Sequence, residues 1–546
     1  MSRILRYFLF SFGLITLGLL AGFKVENVFS IHGKVEIDQS LRKLEQALVF
    51  IEKNYVKEPN HEALVDNAIK GIMEGLDPHS FYISANEMQQ MDEQMTGSFE
   101  GVGIEYNVLD DTIYVVTPIS GGPSEKAGVL AGDRILKVDG INVAGIRIKG
   151  TDVTKFLKGE KGSKVKLTVK RLGINRLLEF TVQRDKIPIF SLDYSYMVNK
   201  ETGFIKVSRF SETTYDEFSE ALRKLKGLGM KNLILDMRGN PGGYLTMAQK
   251  MADEFLSGGK LIVTTDGRIP ESRQRYVASN QINGFEQGGL VVLVDYGSAS
   301  AAEIVAGAVQ DHDRGLILGV RSYGKGLVQV QKKFEDGSAM RIVISEYFTP
   351  SGRCIQKPYN KTHEEYDNEI EERFASGEIY DASKIKFPDS LKFYTDAGRI
   401  VYGGGGIFPD VFIADDTTLN SKYLTELVAA DMFRRFAYDY VDHNHKLVNE
   451  YPGAANFSYH FEIDSEMMKK FTSFASQKGI NFEEKGYTKS MGLIKNRIKA
   501  YIGKRLYQDD GFYPNLYEDD VVVQKALNLM PSSIELQKTG KFASLK

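Results

Sequence analysis

Two residues in this chain are of types that together can do chemistry: a serine and a lysine 25 positions apart, Ser300 and Lys325. The serine lies in Gly297-Ser298-Ala299-Ser300-Ala301-Ala302-Glu303-Ile304, the lysine in Ser322-Tyr323-Gly324-Lys325-Gly326-Leu327-Val328-Gln329. A hydroxyl is a weak nucleophile until a base takes its proton, and a buried, deprotonated lysine amine can be that base. If the two side chains meet, the chemistry they offer is acyl transfer and hydrolysis. Taken singly, each has a plainer reading. Ser298 competes with Ser300, and either could cap a helix. A lysine at the head of the alternation Leu327-Val328-Gln329-Val330 could be a solvated edge residue.

The elements that must position this pair lie between residues 187 and 356. Residues 231–236 and 289–294 are near-continuous apolar runs, and Thr246–Leu256 and Ala301–Asp311 carry helical spacing beside them. Such alternation predicts a mostly parallel, two-sided sheet, with functional residues at strand ends and helix starts. Ser300 falls at such a junction, as does Asp236-Met237-Arg238-Gly239-Asn240-Pro241-Gly242-Gly243. Glycines there let backbone N–H groups converge on a developing oxyanion, and the N–H of Ala301 is a second candidate donor.

The flanking regions differ in texture. Residues 38–96 read as helical, from Leu41, Leu44, Leu48 and Ile51 and again from Leu64, Ala68, Ile72 and Leu76, with Asn60 or His61 opening the second helix. Leu76-Asp77-Pro78-His79 reads as a turn, with His79 a turn or capping residue. A short helical bundle of this kind could pack against a second copy of itself. Residues 97–186 carry short strands and glycine turns. Their run Ala127-Gly128-Val129, Ala131-Gly132-Asp133, Ile135, Val138-Asp139-Gly140 resembles a PDZ domain. PDZ domains take an extended C-terminal peptide by strand addition. By that resemblance Gly101-Val102-Gly103-Ile104 stands in the place of the carboxylate-binding loop. Beyond residue 357 the chain reads as a largely helical extension without evident chemistry. Glu364–Glu378 has the composition of a mobile acidic insertion, and residues 400–415 complete the central core.

Taken in order, these segments resemble the carboxyl-terminal processing peptidase (tail-specific protease) family. The stretches are Leu76-Asp77-Pro78-His79-Ser80, the PDZ run, Asp236-x-Arg238-x-Asn240-x-Gly242-Gly243, Gly297-Ser298-Ala299-Ser300-Ala301-x-Glu303 and Gly324-Lys325-Gly326-x-x-Gln329. Thr349-Pro350-Ser351-Gly352-Arg353 and Gly406-Ile407-x-Pro409-Asp410 follow. The resemblance implies an α+β multidomain protein. Its parts would be an N-terminal helical segment, a PDZ-like β-sandwich or barrel, a ClpP/crotonase-like α/β protease core and a helical C-terminal extension. It further implies a serine endopeptidase with Ser300 as nucleophile, Lys325 as base and Gln329 orienting that base, working through an acyl-enzyme. The oxyanion donors would be the N–H groups of Ala301 and of Gly242 or Gly243, a choice the sequence leaves open. For this chemistry Lys325 must be neutral, its pKa lowered by roughly 2–4 units through burial. No metal or organic cofactor is implied. The implied partners are peptides with free, apolar C-termini, with a homodimer through the N-terminal helices and an adaptor protein as further candidates.

Composition bounds the alternatives. With 42% apolar and 26% charged residues and a net charge of -3, the chain is ordinary globular material with no basic patch for nucleic acid. The single cysteine, Cys354, excludes an intramolecular disulfide framework. Arg3 and Arg6 precede an apolar run from Tyr7 to Phe23, so residues 1–24 read as a signal peptide or signal anchor. That predicts a protein of the bacterial cell envelope, on the outer side of the inner membrane. Three rival readings are on the page. A serine–histidine triad would use His312, and a Ser322-x-x-Lys325 pairing would resemble penicillin-binding enzymes. A PDZ scaffold on an inactive protease domain would bind C-termini without cleaving them.

Overall fold

The computed structural model describes residues 38–542 apart from 110, 172, 280–283, 360–362, 386, 388 and 415–417. The run Tyr7–Phe23 lies outside the described residues, and among those described no helix is long and apolar enough to cross a membrane. The chain divides into two compact units, Met1–Leu76 and Asp77–Lys546. In the first, residues 38–54 and His61–Glu74 are helical. The Asn60 side chain caps the second helix by accepting from Ala63 N at 3.1 Å. Leu41, Leu44 and Ile72, which give these helices their periodicity, are exposed.

In the second unit the central sheet has six strands, in the order Leu192–Met197, Thr202–Val207, Asn232–Asp236, Leu290–Val294, Leu316–Gly319 and Val411–Phe412. The first pair is antiparallel and the others are parallel. Leu290–Val294 is buried at every position because both of its faces are covered. Leu290, Val292 and Val294 pack with the helices Thr214–Gly227, Leu245–Asp253 and Ala301–Asp311. Val291 and Leu293 pack on the opposite face with Val522, Val523, Ala526 and Leu529 of the helix Val521–Thr539. The strand Val411–Phe412 falls in the stretch 400–415 expected to complete the core, and the last helix, read as part of the extension, is a part of the core as well.

A second sheet contains Leu261–Gly267, Gln274–Val277, the hairpin Leu327–Lys333/Ala339–Phe348 and the short strand Phe81–Ile83. Ile104–Leu109, Thr112–Pro118, Arg134–Val138, Lys164–Lys170 and Leu178–Gln183 lie side by side in the six-stranded sheet of the PDZ module, with Ile141–Asn142 paired to Arg134–Val138 and Gly150–Leu157 as its helix. Residues 423–507 enclose their own helical core around Phe433, Phe436, Phe471 and Ile498.

The acidic segment after residue 360 departs from its compositional reading as a mobile insertion. It forms the helices His363–Asp367 and Glu369–Ser376, and it contributes Tyr366 and Arg373 to the interior. Its Glu369 is held by Arg321, Lys357 and Arg373 and its Glu378 by Arg321, while Glu364, Glu365, Asp367, Glu371 and Glu372 are exposed.

Candidate active site

The chain enters the Ser300 turn from the buried strand Leu290–Val294 and leaves it on the helix Ala301–Asp311. Every residue of that helix is buried, which its small Ala and Gly side chains permit. Ser300 has φ 55° and ψ -113°, a conformation that costs a non-glycine residue about 1–3 kcal/mol. Its surroundings over-determine it. Ser300 N donates to Glu303 Oε2 at 2.8 Å, and the Ser300 carbonyl accepts from Glu303 N and Ile304 N. Ala299 N donates to the carbonyl of Asn240. Ser300 borders a cavity of about 410 Å³, lined also by Ile304, Leu327, Tyr276 and Arg341.

Lys325 lies just before the strand Leu327–Lys333 and is half-buried. Its Nζ donates to Gln329 Oε1 at 2.9 Å, and Gln329 Nε2 donates to the carbonyl of His79. The pairing has a bulge between Val328 and Gln329, so the two side chains meet by way of a local irregularity and not by simple alternation. Burial, aided by the Arg341 charge, pushes the Lys325 pKa down to about 8; the Glu303 and Asp77 carboxylates partly offset this.

Two buried groups join the serine and lysine turns. Glu303 Oε2 accepts from the backbone N of both Ser300 and Lys325, at 2.8 and 2.9 Å. Glu303 Oε1 accepts from Gly324 N at 2.8 Å and from Ser322 Oγ at 2.5 Å. From the other side, Tyr347 Oη stands 3.0 Å from the Ser300 carbonyl and 2.6 Å from the Lys325 carbonyl, placed to donate to either. Burial raises the Glu303 pKa to about 6 against the bonds that favour its charged form. The sequence placed Glu303 and Gln329 in motifs but gave Glu303 no task, and it gave no sign of Tyr347.

The glycine loop also resolves. Gly242 N donates to Asn240 Oδ1 at 2.8 Å, so that N–H is already engaged. Gly243 borders the Ser300 cavity, and its N–H and that of Ala301 have no protein partner among the described residues. Gly242 (φ 95°) must be glycine, since a Cβ there would stand 2.7 Å from Ser300 Cβ and 2.8 Å from the Ala299 carbonyl. At the foot of the loop Asp236 is fully buried between Arg238 and Lys206, and Arg238 reaches Asp520 at 2.9 Å.

The rival assignments separate cleanly. Ser298 is buried and donates to the Met237 carbonyl at 2.8 Å, so it is a structural tie. His312 sits at the far end of the Ser300 helix, with its ring nitrogens 2.8 Å from Asp396 Oδ2 and 2.6 Å from the Leu261 carbonyl. Ser322 is buried between Glu303 and the N–H of Ile407. None of the three lines the cavity, and neither does Lys325, which reaches it only through Gln329. His79 is more than a turn residue. The Asp77 turn does accept from its N–H, but its ring is buried 2.6 Å from Tyr366 Oη.

In the PDZ module, Gly101 ends the strand Ser98–Gly101 and Val102 is buried, its carbonyl accepting from Ser124 N and Oγ. Gly103 has φ 70°, and Ile104 starts the strand Ile104–Leu109, which is the edge of its sheet. An exposed edge beside a helix can accept an added strand.

Comparison with known proteins gives the family of the chain. Peptidase family S41 matches residues 201–365, and a PDZ domain matches 114–171. The N-terminal domain of the activating protease CtpB matches 24–87, and a family of unknown function matches 423–509. The carboxy-terminal processing protease CtpA of Bacillus subtilis is 34% identical over 364 residues, covering 65% of this chain and 73% of that one. The carboxy-terminal-processing protease of Bartonella bacilliformis is 36% identical over 310 residues, covering 56% and 70%. Among solved structures, the photosystem II D1 C-terminal processing protease is 26% identical over 68% of this chain and 92% of its own, at a TM-score of 0.35. The chain belongs to the carboxy-terminal processing proteases of peptidase family S41, and it is a serine-type peptidase with a PDZ domain.

Proposed function

We propose that this peptidase captures proteins by their free C-termini on the PDZ edge strand and cleaves them with a Ser300–Lys325 dyad. The observation that carries the dyad is the double tie between the two turns: one Glu303 oxygen takes both amides, and the Tyr347 hydroxyl stands against both carbonyls. Burial that brings Lys325 to about pKa 8 leaves roughly a tenth of it neutral at pH 7, enough to act as base. The neutral amine takes the Ser300 proton as Oγ bonds to the peptide carbonyl carbon. The oxyanion is received by the N–H groups of Ala301 and Gly243. The C–N bond then breaks, the proton passes from Lys325 to the leaving amine, and an acyl-enzyme remains. Water, deprotonated by the same amine, releases the acid and restores Ser300.

Gly101, Val102, Gly103 and Ile104 supply the loop for the substrate carboxylate, and the edge strand Ile104–Leu109 pairs with the residues before it. The exposed apolar residues of the N-terminal helices suit a second copy of the chain, and the basic-then-apolar start suits export to the cell envelope.

Ser300→Ala and Lys325→Ala should each lower kcat/KM by at least about 10³-fold with an unchanged thermal midpoint. Turnover surviving in Lys325→Ala would remove the dyad. A peptide with an apolar free C-terminus should be cleaved faster than its amidated twin; equal rates would remove the PDZ recognition.

A further inference from the structure

Behind the Lys325 loop lie the helices His363–Asp367 and Glu369–Ser376, and the first of them presents Tyr366, which is 2% exposed. Its hydroxyl is 2.6 Å from His79 Nε2 and 3.1 Å from Gln356 Nε2. The directions of these bonds follow from the groups. An amide NH₂ only donates, so Gln356 gives a proton to Tyr366 Oη, and the phenolic proton goes to His79. Burial and the Lys325 charge lower the His79 pKa to about 4, so the ring is neutral and Nε2 can accept.

Each branch from Tyr366 ends beside the lysine. Gln356 Oε1 accepts from Gly326 N at 2.9 Å. The Tyr366 carbonyl accepts from Lys357 Nζ at 3.1 Å, and Lys357 N donates to the Gly324 carbonyl at 2.9 Å. The His79 branch is the chemically decisive one. The His79 carbonyl accepts from Gln329 Nε2, and Gln329 Oε1 accepts from Lys325 Nζ. A glutamine amide can turn end for end about its last bond. Only while its NH₂ is committed to His79 does its oxygen face the lysine. A neutral amine that spends an N–H on that oxygen keeps its lone pair for a serine proton.

We infer that Tyr366 is a positioning residue for the Lys325 base, acting through His79 and Gln329, and that the helical insertion 363–376 is part of the catalytic apparatus. This rests on the Ser300–Lys325 reading above. Tyr366→Phe tests it because it keeps the ring, which faces Lys357 Nζ at 4.1 Å, and removes only the hydroxyl. The expected result is a fall in kcat of about tenfold with KM unchanged, a modest share of what a general base supplies. In a Gln329→Ala background the same change should cost under about threefold, because the main branch it acts through is gone. His79→Leu should behave in the same way and serves if Tyr366→Phe does not fold. Equal losses in both backgrounds, or a loss confined to KM or to the thermal midpoint, would overturn the inference. An active Lys325→Ala would sink the dyad itself, whereas an inactive Lys325→Ala with additive Tyr366→Phe sinks only the role of Tyr366.

Discussion

At the scale of single residues, the central quantity is the protonation of Lys325. Its amine is neutral above a pKa of about 8, so activity should rise with pH by about tenfold per unit below 8 and level off above it. Arg341 is the charge that helps burial to hold this pKa down, and it lines the same cavity as Ser300. Replacing it with Gln removes a like charge, stabilises the ammonium and should move the limb of the kcat/KM profile to higher pH by about half a unit. A limb that stays in place would show that burial alone sets the base. Much of this was legible in the sequence. Ser300, Lys325 and Gln329 stood out because their glycine-rich settings are local. Glu303 sat within its motif without a visible task, because its partners arrive from residues 322–325. Tyr347 and Tyr366 gave no signal, being ordinary aromatic residues whose roles exist only once distant segments meet. The residues alone left Ser298 and Ser300 in competition and only the family resemblance favoured Ser300, whereas in the fold hydrogen bonds to Met237 and Asp295 tie Ser298 down.

At the scale of elements, the loop between the strand Asn232–Asp236 and the helix Leu245–Asp253 shows that glycines in one motif are not equivalent. Gly239 has φ 68° with open space where a Cβ would stand, whereas at Gly242 a Cβ would strike the Ser300 turn at 2.7 Å. Gly239→Ala should therefore cost about 1–2 kcal/mol through backbone strain alone and keep most activity. Gly242→Ala should cost more than that in stability and displace Ser300, abolishing acylation by a serine-directed probe. Thermal melts and labelling of the two variants side by side check this. Equal labelling would show that the close approach is not needed. The sequence identified the loop and its neighbouring helix within three residues, because apolar strands and strand-to-helix glycines are strong local signals. It misjudged residues 364–378, since counting acidic residues cannot reveal that one of them, Glu369, meets Arg321, Lys357 and Arg373 or that Tyr366 and Arg373 turn inward.

At the scale of the whole molecule, the core sheet is closed by a segment almost at the far end of the chain. Alternation along Leu290–Val294 sends Val291 and Leu293 to a face that the helices between residues 214 and 311 do not cover, and the helix Val521–Thr539 covers it. Nothing local announces that helix as core. It carries Pro531 and lies more than 200 residues beyond the strands it shields. Leu536 is fully buried there, so Leu536→Ala should lower stability by about 2–5 kcal/mol, read as a shift in denaturant midpoint. Asp520 accepts from Val522 N and Val523 N at the start of the same helix and pairs with Arg238, which in turn holds Asp236 below the glycine loop. Removal of residues 520–546 should therefore do two separable things. It exposes Phe204, Ile234, Val291 and Leu293, giving a protein that aggregates or melts early. It also unties the loop proposed to receive the oxyanion. The milder Asp520→Asn isolates the second effect, because asparagine still caps the helix but no longer balances Arg238. Its expected signature is a fall in kcat of about threefold to tenfold with a loss of midpoint well short of the truncation's. An appended, independent extension would instead leave kcat untouched in both variants.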